Sequence, residues 1–81
     1  MSDAEMPLIK IAYVGDYTIH AWSEEKAGDS FPLYQIFKGG KPVTSTRTSL
    51  LEPFQNSALA INAGIERAAD DIRLGLLEFP S

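Results

Sequence analysis

The chain has one histidine, His20, in the run Tyr17-Thr18-Ile19-His20-Ala21-Trp22. Imidazole is the side chain suited to proton transfer near neutral pH, but it needs an orienting carboxylate and a reacting group within hydrogen-bond reach. No motif supplies either, so His20 reads as a structural or surface residue. With no cysteine there is no thiolate nucleophile and no thiolate metal site. Glu24, Glu25 and Asp29 gather in Ser23–Ser30, yet they lack the alternating oxygen ligands and central glycine of a calcium loop. Gly39-Gly40-Lys41 has a lysine after glycines, but Pro42 and a polar run follow where a phosphate loop needs a longer turn into a helix. A hairpin turn is the expected use of these glycines. Lys38, Lys41 and Arg47 lie close in sequence to Tyr34 and Phe37, and bases interleaved with aromatics can hold single-stranded nucleic acid. They are the candidate anion contact. The sequence implies no catalytic residue, cofactor or metal.

Strands must position these groups. Leu8–Val14 and Tyr17–Trp22 are rich in β-branched and aromatic residues, separated by Gly15-Asp16. Glycine at the first of two loop positions predicts a type II′ hairpin with Val14 opposite Tyr17. One face then carries Ile9/Trp22, Ile11/His20 and Tyr13/Thr18, and the other Lys10/Ala21, Ala12/Ile19 and Val14/Tyr17. Both faces are partly apolar, so the pattern leaves open which one meets the core. Ser23–Ser30 reads as a polar loop turning at Gly28-Asp29. Phe31–Lys38 is the third strand, with Pro32 suited to a strand start or an edge. Val43–Ser49 reads as a short, solvated edge strand, and whether it pairs as a fourth strand stays open.

The last element is a helix. At 100° per residue Phe54, Ala58, Ile61, Ile65, Ala68, Ala69, Ile72 and Leu76 share an arc of about 100°, the width of a core-facing stripe. The start falls at Pro53 or at 57, and Asn56 as N-cap favours a span of 57–74 closing at Gly75. Arg67 and Asp71 are expected as a solvent-side i,i+4 pair, and Glu66, Asp70 and Asp71 as an acidic outer face. Ser57, Gly64, Ala68 and Gly75 form a strip of small residues. Gly64 in mid-helix costs about 1 kcal/mol against alanine, which a close backbone approach would explain. That approach is either to the chain's own sheet or to the helix of a second copy.

The architecture read from this is α+β: an antiparallel meander of three or four strands with one C-terminal helix on one face, β-β-β-(β)-α. A tail of residues 1–7, a domain of 8–76 and a tail of 77–81 are the expected divisions. The chain has 81 residues, 44% of them hydrophobic, enough for one domain near the lower limit of stability. The formal charge of −4 gathers in the last third, where Glu52, Glu66, Asp70, Asp71 and Glu78 outweigh Arg67 and Arg73. DNA binding is not expected of such a balance. No apolar run is long enough to span a membrane, and the start, Met1-Ser2-Asp3-Ala4-Glu5, is acidic where a secretory signal would be basic. The expected location is the cytoplasm.

Tyr13-Val14-Gly15-Asp16-Tyr17-Thr18-Ile19, Tyr34-Gln35-Ile36-Phe37, and a helix entered by Phe54 with Ala60, Gly64, Ala68 and Ile72 resemble a group of small proteobacterial proteins. Their shared pattern is a three-stranded meander followed by an Ala/Gly-containing helix, and the likeness covers about residues 11–72. It implies that fold and no established activity. A more distant architectural likeness is to HicB-type antitoxins. One helix covers only one side of a sheet, so apolar surface is left over. The reading is therefore a non-enzymatic bacterial interaction module that self-associates or binds another protein. Its expected surfaces are Ile19 or Trp22 on the sheet, and Leu59 and Leu74 on the helix. The alternative is an antitoxin-like or single-stranded RNA-binding regulator using Lys38, Lys41 and Arg47.

Overall fold

A computed structural model of the chain describes residues 9–48 and 53–79. The expected tail 1–7, Leu8, the last residue of the predicted 43–49 strand and residues 80–81 lie outside the described residues. The elements in order are β1 (Lys10–Val14), β2 (Tyr17–Lys26), β3 (Asp29–Lys38), β4 (Lys41–Pro42), β5 (Arg47–Thr48) and α1 (Ser57–Leu74). The strands form one antiparallel sheet in the order β1-β2-β3-β4, with β5 also pairing β3. The helix packs on one face, so the α+β meander with a C-terminal helix holds.

Turn chemistry sets the registers. Gly15 has φ 58° and Asp16 no positive φ, which matches a type II′ turn, and Val14 faces Tyr17 as predicted. The second hairpin is tighter than the polar composition suggested. β2 runs on to Lys26, β3 starts at Asp29, and only Ala27 (φ 53°) and Gly28 (φ 85°) form the loop. Two positive φ values in a two-residue loop match the right-handed twist of the strands on either side. Ser23–Ser30 is therefore strand and turn rather than loop. Pro32 faces Ser23 at a position whose backbone points away from β2, so its missing N–H removes no bond from that ladder.

The fourth edge is broken. Phe37 faces Pro42 and Tyr34 faces Arg47, so Gln35 and Ile36 lie opposite all of 43–46. The extra residues let Val43 and Thr44 turn inward, both 0% exposed. The Thr44 hydroxyl accepts from the Ile36 N–H at 3.2 Å, taking the place of a ladder carbonyl. The Val43 carbonyl accepts from the N–H groups of Glu78 and Phe79. Residues 77–79 of the C-terminal tail are thus docked on this edge, with Leu77 against the core.

The helix has the predicted limits. The Asn56 side chain accepts from the Leu59 N–H at 3.0 Å. At the other end Gly75 (φ 73°) donates to the Ile72 carbonyl and Leu76 to the Asp71 carbonyl, a Schellman closure. The buried face is rotated from the predicted stripe. Ala60, Ile61, Gly64 and Ala68 are buried, whereas Ala58 is exposed and Leu76 is 52% exposed. Small residues permit the closest approach, so the line of contact follows them, and Ile65 and Ile72 pack from the flank. A Cβ on Gly64 would lie 3.5 Å from the Leu33 carbonyl oxygen and 3.6 Å from the Pro32 Cβ. The small strip therefore serves the chain's own sheet.

That contact also chooses the sheet face. Ile19, Ala21, Tyr34 and Ile36 lie under the helix with Ala12, Val14 and Tyr17. The face carrying Trp22 and Leu33 is too bulky for a helix seated this low, and it points away.

Candidate functional site

His20 lies mid-β2 on the uncovered face, paired with Ile11 on one side and Gln35 on the other. Its ring rests on Phe37, centroids 4.5 Å apart and planes tilted 40°. It is an aromatic packing residue there. Of the acidic trio, Glu25 accepts the one hydroxyl hydrogen of the buried Ser30, its two carboxylate oxygens standing 2.8 and 2.7 Å from that hydroxyl oxygen. Glu24 sits 3.9 Å from the Lys26 ammonium, both exposed. No group of acidic or histidine side chains suited to a metal ion occurs among the described residues. Gly39 (φ 60°) and Gly40 (φ 80°) form the β3–β4 hairpin turn, as their sequence suggested.

The three bases separate into two settings. Lys38 and Lys41 face each other across that hairpin, and the Lys38 ammonium stands 5.4 Å from the Tyr17 ring centroid. Arg47 does not join them, which corrects its place in the candidate anion contact. It pairs with Tyr34 on β3 and extends beneath the helix end. There Arg47 Nη1 donates to Asp71 Oδ2 at 2.8 Å, while Nε and Nη2 donate to Glu78 Oε2 at 3.1 and 3.0 Å. The Tyr34 hydroxyl donates to the same Asp71 oxygen at 2.6 Å. Ser45 holds Glu78 through its hydroxyl and its N–H.

Burial, then the bond to Asp71, push the Tyr34 phenol up to about 12, so it serves as a fixed donor. Burial works against the charge of Arg47, but its bonds to Asp71 and Glu78 outweigh that and hold the guanidinium more firmly protonated. Ser45 and Arg47 keep the Glu78 carboxyl below its usual range. Asp71 thus turns toward the sheet rather than to the solvent side expected of it. Sequence reasoning missed this cluster, although one signal was present. Ser57, Gly64 and Asp71 are seven residues apart, which puts Asp71 on the line of closest helix–sheet contact. The cluster clamps β3, β5, the helix and the docked tail together. Its chemistry is that of a structural tie.

The four residues expected to form interaction surfaces do not share one. Ile19 is 0% exposed beneath the helix and is withdrawn from the candidate surface. It alternates with the outward residues of β2, so the choice of face decided its fate. Trp22 stands partly exposed on the uncovered face. Leu59 and Leu74 are 47% and 63% exposed on the far side of the molecule. Fifteen positions apart on the helix, those two lie about 22 Å from each other along its axis.

What remains as a coherent surface is the uncovered sheet face. It carries Ile11 and Tyr13 at the β1 edge, His20 and Trp22 on β2, and Phe31, Leu33 and Phe37 on β3, with the polar Thr18, Glu24 and Gln35 between them. Exposure is graded across it. The β2 and β3 members are partly covered by cross-strand neighbours such as Trp22 against Leu33, whereas Ile11 and Tyr13 are 49% and 76% exposed, and Ile9, just before β1, is 52% exposed. A shallow groove of about 250 Å³ runs beside the same edge on the helix side, lined by Ile9, Lys10, Ala58, Ile61 and Asn62. Its one charged group, the Lys10 ammonium, donates to Asn62 Oδ1 at 3.3 Å.

No protein-family model matches the chain, and no curated protein or solved structure matches it either. Among the described residues no helix is long and apolar enough to cross a membrane. The fold and surface define an α+β meander with one face open.

Proposed function

We propose that this chain is a small bacterial, cytoplasmic interaction module without enzymatic activity, and that it binds a second copy of itself. The observation that carries the reading is the sheet face that no described residue covers, with seven apolar or aromatic-packing side chains from Ile11 to Phe37. An exposed surface rich in apolar side chains on a small domain marks an interaction site. A second copy offers the same surface, as a two-fold contact requires. The antitoxin-like or RNA-binding reading gains no support from Arg47, whose guanidinium is held by Asp71 and Glu78.

Sedimentation or light scattering at micromolar and millimolar concentration tests the proposal. The expected mass is twice the 8.9 kDa of one chain. A single-chain mass at both concentrations would overturn it.

A further inference from the structure

We infer that the second copy docks along the outer edge of β1, in an antiparallel register centred on Ile11, so that two sheets become one. This rests on the self-association proposed above and names the surface and the symmetry.

The two edges of the sheet differ in protection. The β4/β5 edge is short, bulged, begun by Lys41 and Pro42, and capped by the docked tail. Those are the usual means of keeping an edge from pairing. Among the described residues the five-residue β1 edge carries no bulge, proline or docked segment, and Lys10 is its one charge. Because Val14 and Tyr17 flank a two-residue turn, the backbone groups of Val14, Ala12 and Lys10 point into the sheet toward β2. Those of Ile11 and Tyr13 therefore point outward, ready to pair with another strand, and continuing the alternation one residue past the strand gives Ile9 the same direction. The side chains of Ile11 and Tyr13 are the most exposed apolar ones of β1 on that face. Among the described residues each has a cross-strand neighbour on β2 only, and a second strand would supply the other.

Registers can be compared by what they place opposite what. Centring on Lys10 sets two ammonium groups face to face, which is destabilising. Centring on Ile11 pairs Ile11 with the partner's Ile11 on the open face and sets Ile9 opposite the partner's Tyr13, with no charge among them. On the helix face it sets Lys10 opposite the partner's Ala12, so the long charged side chain meets a small one. Every outward backbone group from Ile9 to Tyr13 is then bonded, and the two charges are apart.

The chain has no cysteine of its own, so single cysteines report the register directly. Directly opposed residues of a hydrogen-bonded pair have Cα atoms about 5.5 Å apart, within disulfide range. Two copies of residue 9, or of residue 13, would be about 13 Å apart in this register, which is out of range. Under mild oxidation Ile11→Cys is expected to form a disulfide dimer, while Ile9→Cys alone and Tyr13→Cys alone are not. An equimolar mixture of the Ile9→Cys and Tyr13→Cys chains is expected to crosslink. Ile11→Lys, at an exposed position that leaves the core untouched, should shift the sedimenting mass from two chains to one. Suppose instead that the wild-type chain is dimeric but Ile11→Cys crosslinks no better than the other two, or that Ile11→Lys stays dimeric. Edge pairing is then wrong and self-association through another surface stands. A monomeric wild-type chain ends both.

Discussion

Replacing Gly64 by alanine is expected to stabilise the protein, although the glycine sits at the closest approach of helix and sheet. An added Cβ would meet the Leu33 carbonyl oxygen at 3.5 Å, the Pro32 Cβ at 3.6 Å and the Ala21 Cβ at 3.8 Å. All three are ordinary van der Waals separations, so the methyl group fits without displacing backbone. Alanine at a helix interior position is worth about 1 kcal/mol over glycine, and the buried methyl adds at most about 0.8 kcal/mol. The expected gain is about 1–2 kcal/mol, and each kcal/mol raises Tm by about 4–8 °C in a domain of this size. Gly64→Leu reverses the sign. Its further carbons run into the Pro32 ring and the Leu33 carbonyl, and overpacking of this kind costs about 1–3 kcal/mol.

Urea unfolding followed by the single tryptophan, Trp22, and by far-UV circular dichroism reads both variants. They must be compared at one fixed concentration, because association would shift the midpoint. A Gly64→Ala midpoint below wild type at unchanged slope would refute the packing argument. So would a Gly64→Leu variant as stable as Gly64→Ala, since that would mean the sheet is not where the contact distances put it.

Two further perturbations address the clamp around Asp71. Arg47→Met is expected to destabilise by about 1–3 kcal/mol, because Asp71 and Glu78 lose their charged donor and Asp71 is left largely enclosed. Urea midpoints of Arg47→Met, Asp71→Asn and the double variant would show strongly non-additive losses; additive losses would mean the pair is not coupled. Tyr34 ionises near 12 in the folded protein against 10.0 in an unfolded chain. Its contribution is therefore complete below pH 10 and is lost as pH rises from 10 toward 12. Thermal melts of wild type should fall over that window, and Tyr34→Phe should flatten the fall. An identical alkaline fall in both would place the titration elsewhere.

Much of the fold was legible because its signals are local. A glycine in the first of two loop positions fixed the β1–β2 register, since a one-residue slip would have moved every side chain to the other face. Asn56 and Gly75 set the helix limits through bonds made within one turn of each. The second hairpin was harder to read. Ser23–Lys26 is polar, and polarity says loop, yet its last three residues are exposed strand and can be polar without cost. The fourth edge failed for the converse reason. Val43 is the one large apolar residue in a polar stretch, and burying it required a break in the strand that no periodicity records.

Of the candidate surface residues, Trp22, Leu59 and Leu74 proved exposed to some degree and Ile19 did not. Their separation on opposite sides of the molecule was invisible in sequence, where only spacing along one element can be judged. Arg47 was grouped with Lys38 and Lys41 by proximity in the chain. The bulge between β4 and β5 carries it away from them and toward Asp71.

The sequence by itself determined the meander, the registers of its first hairpin and the span and caps of its helix, because turns and caps are satisfied by atoms a few residues apart. It also determined that apolar surface would exceed what one helix covers. Only the tertiary structure decided which sheet face that surplus occupies. Ala60, Gly64 and Ala68 let the helix sit low, and a low helix needs Ala21 and Pro32 beneath it rather than Trp22 and Leu33. That is a matching of volumes between segments some 30 to 45 positions apart, and the chain carries no local mark of it. The same choice buried Ile19, drew Asp71 onto Tyr34 and Arg47, and left Ile11 and Tyr13 exposed at the β1 edge.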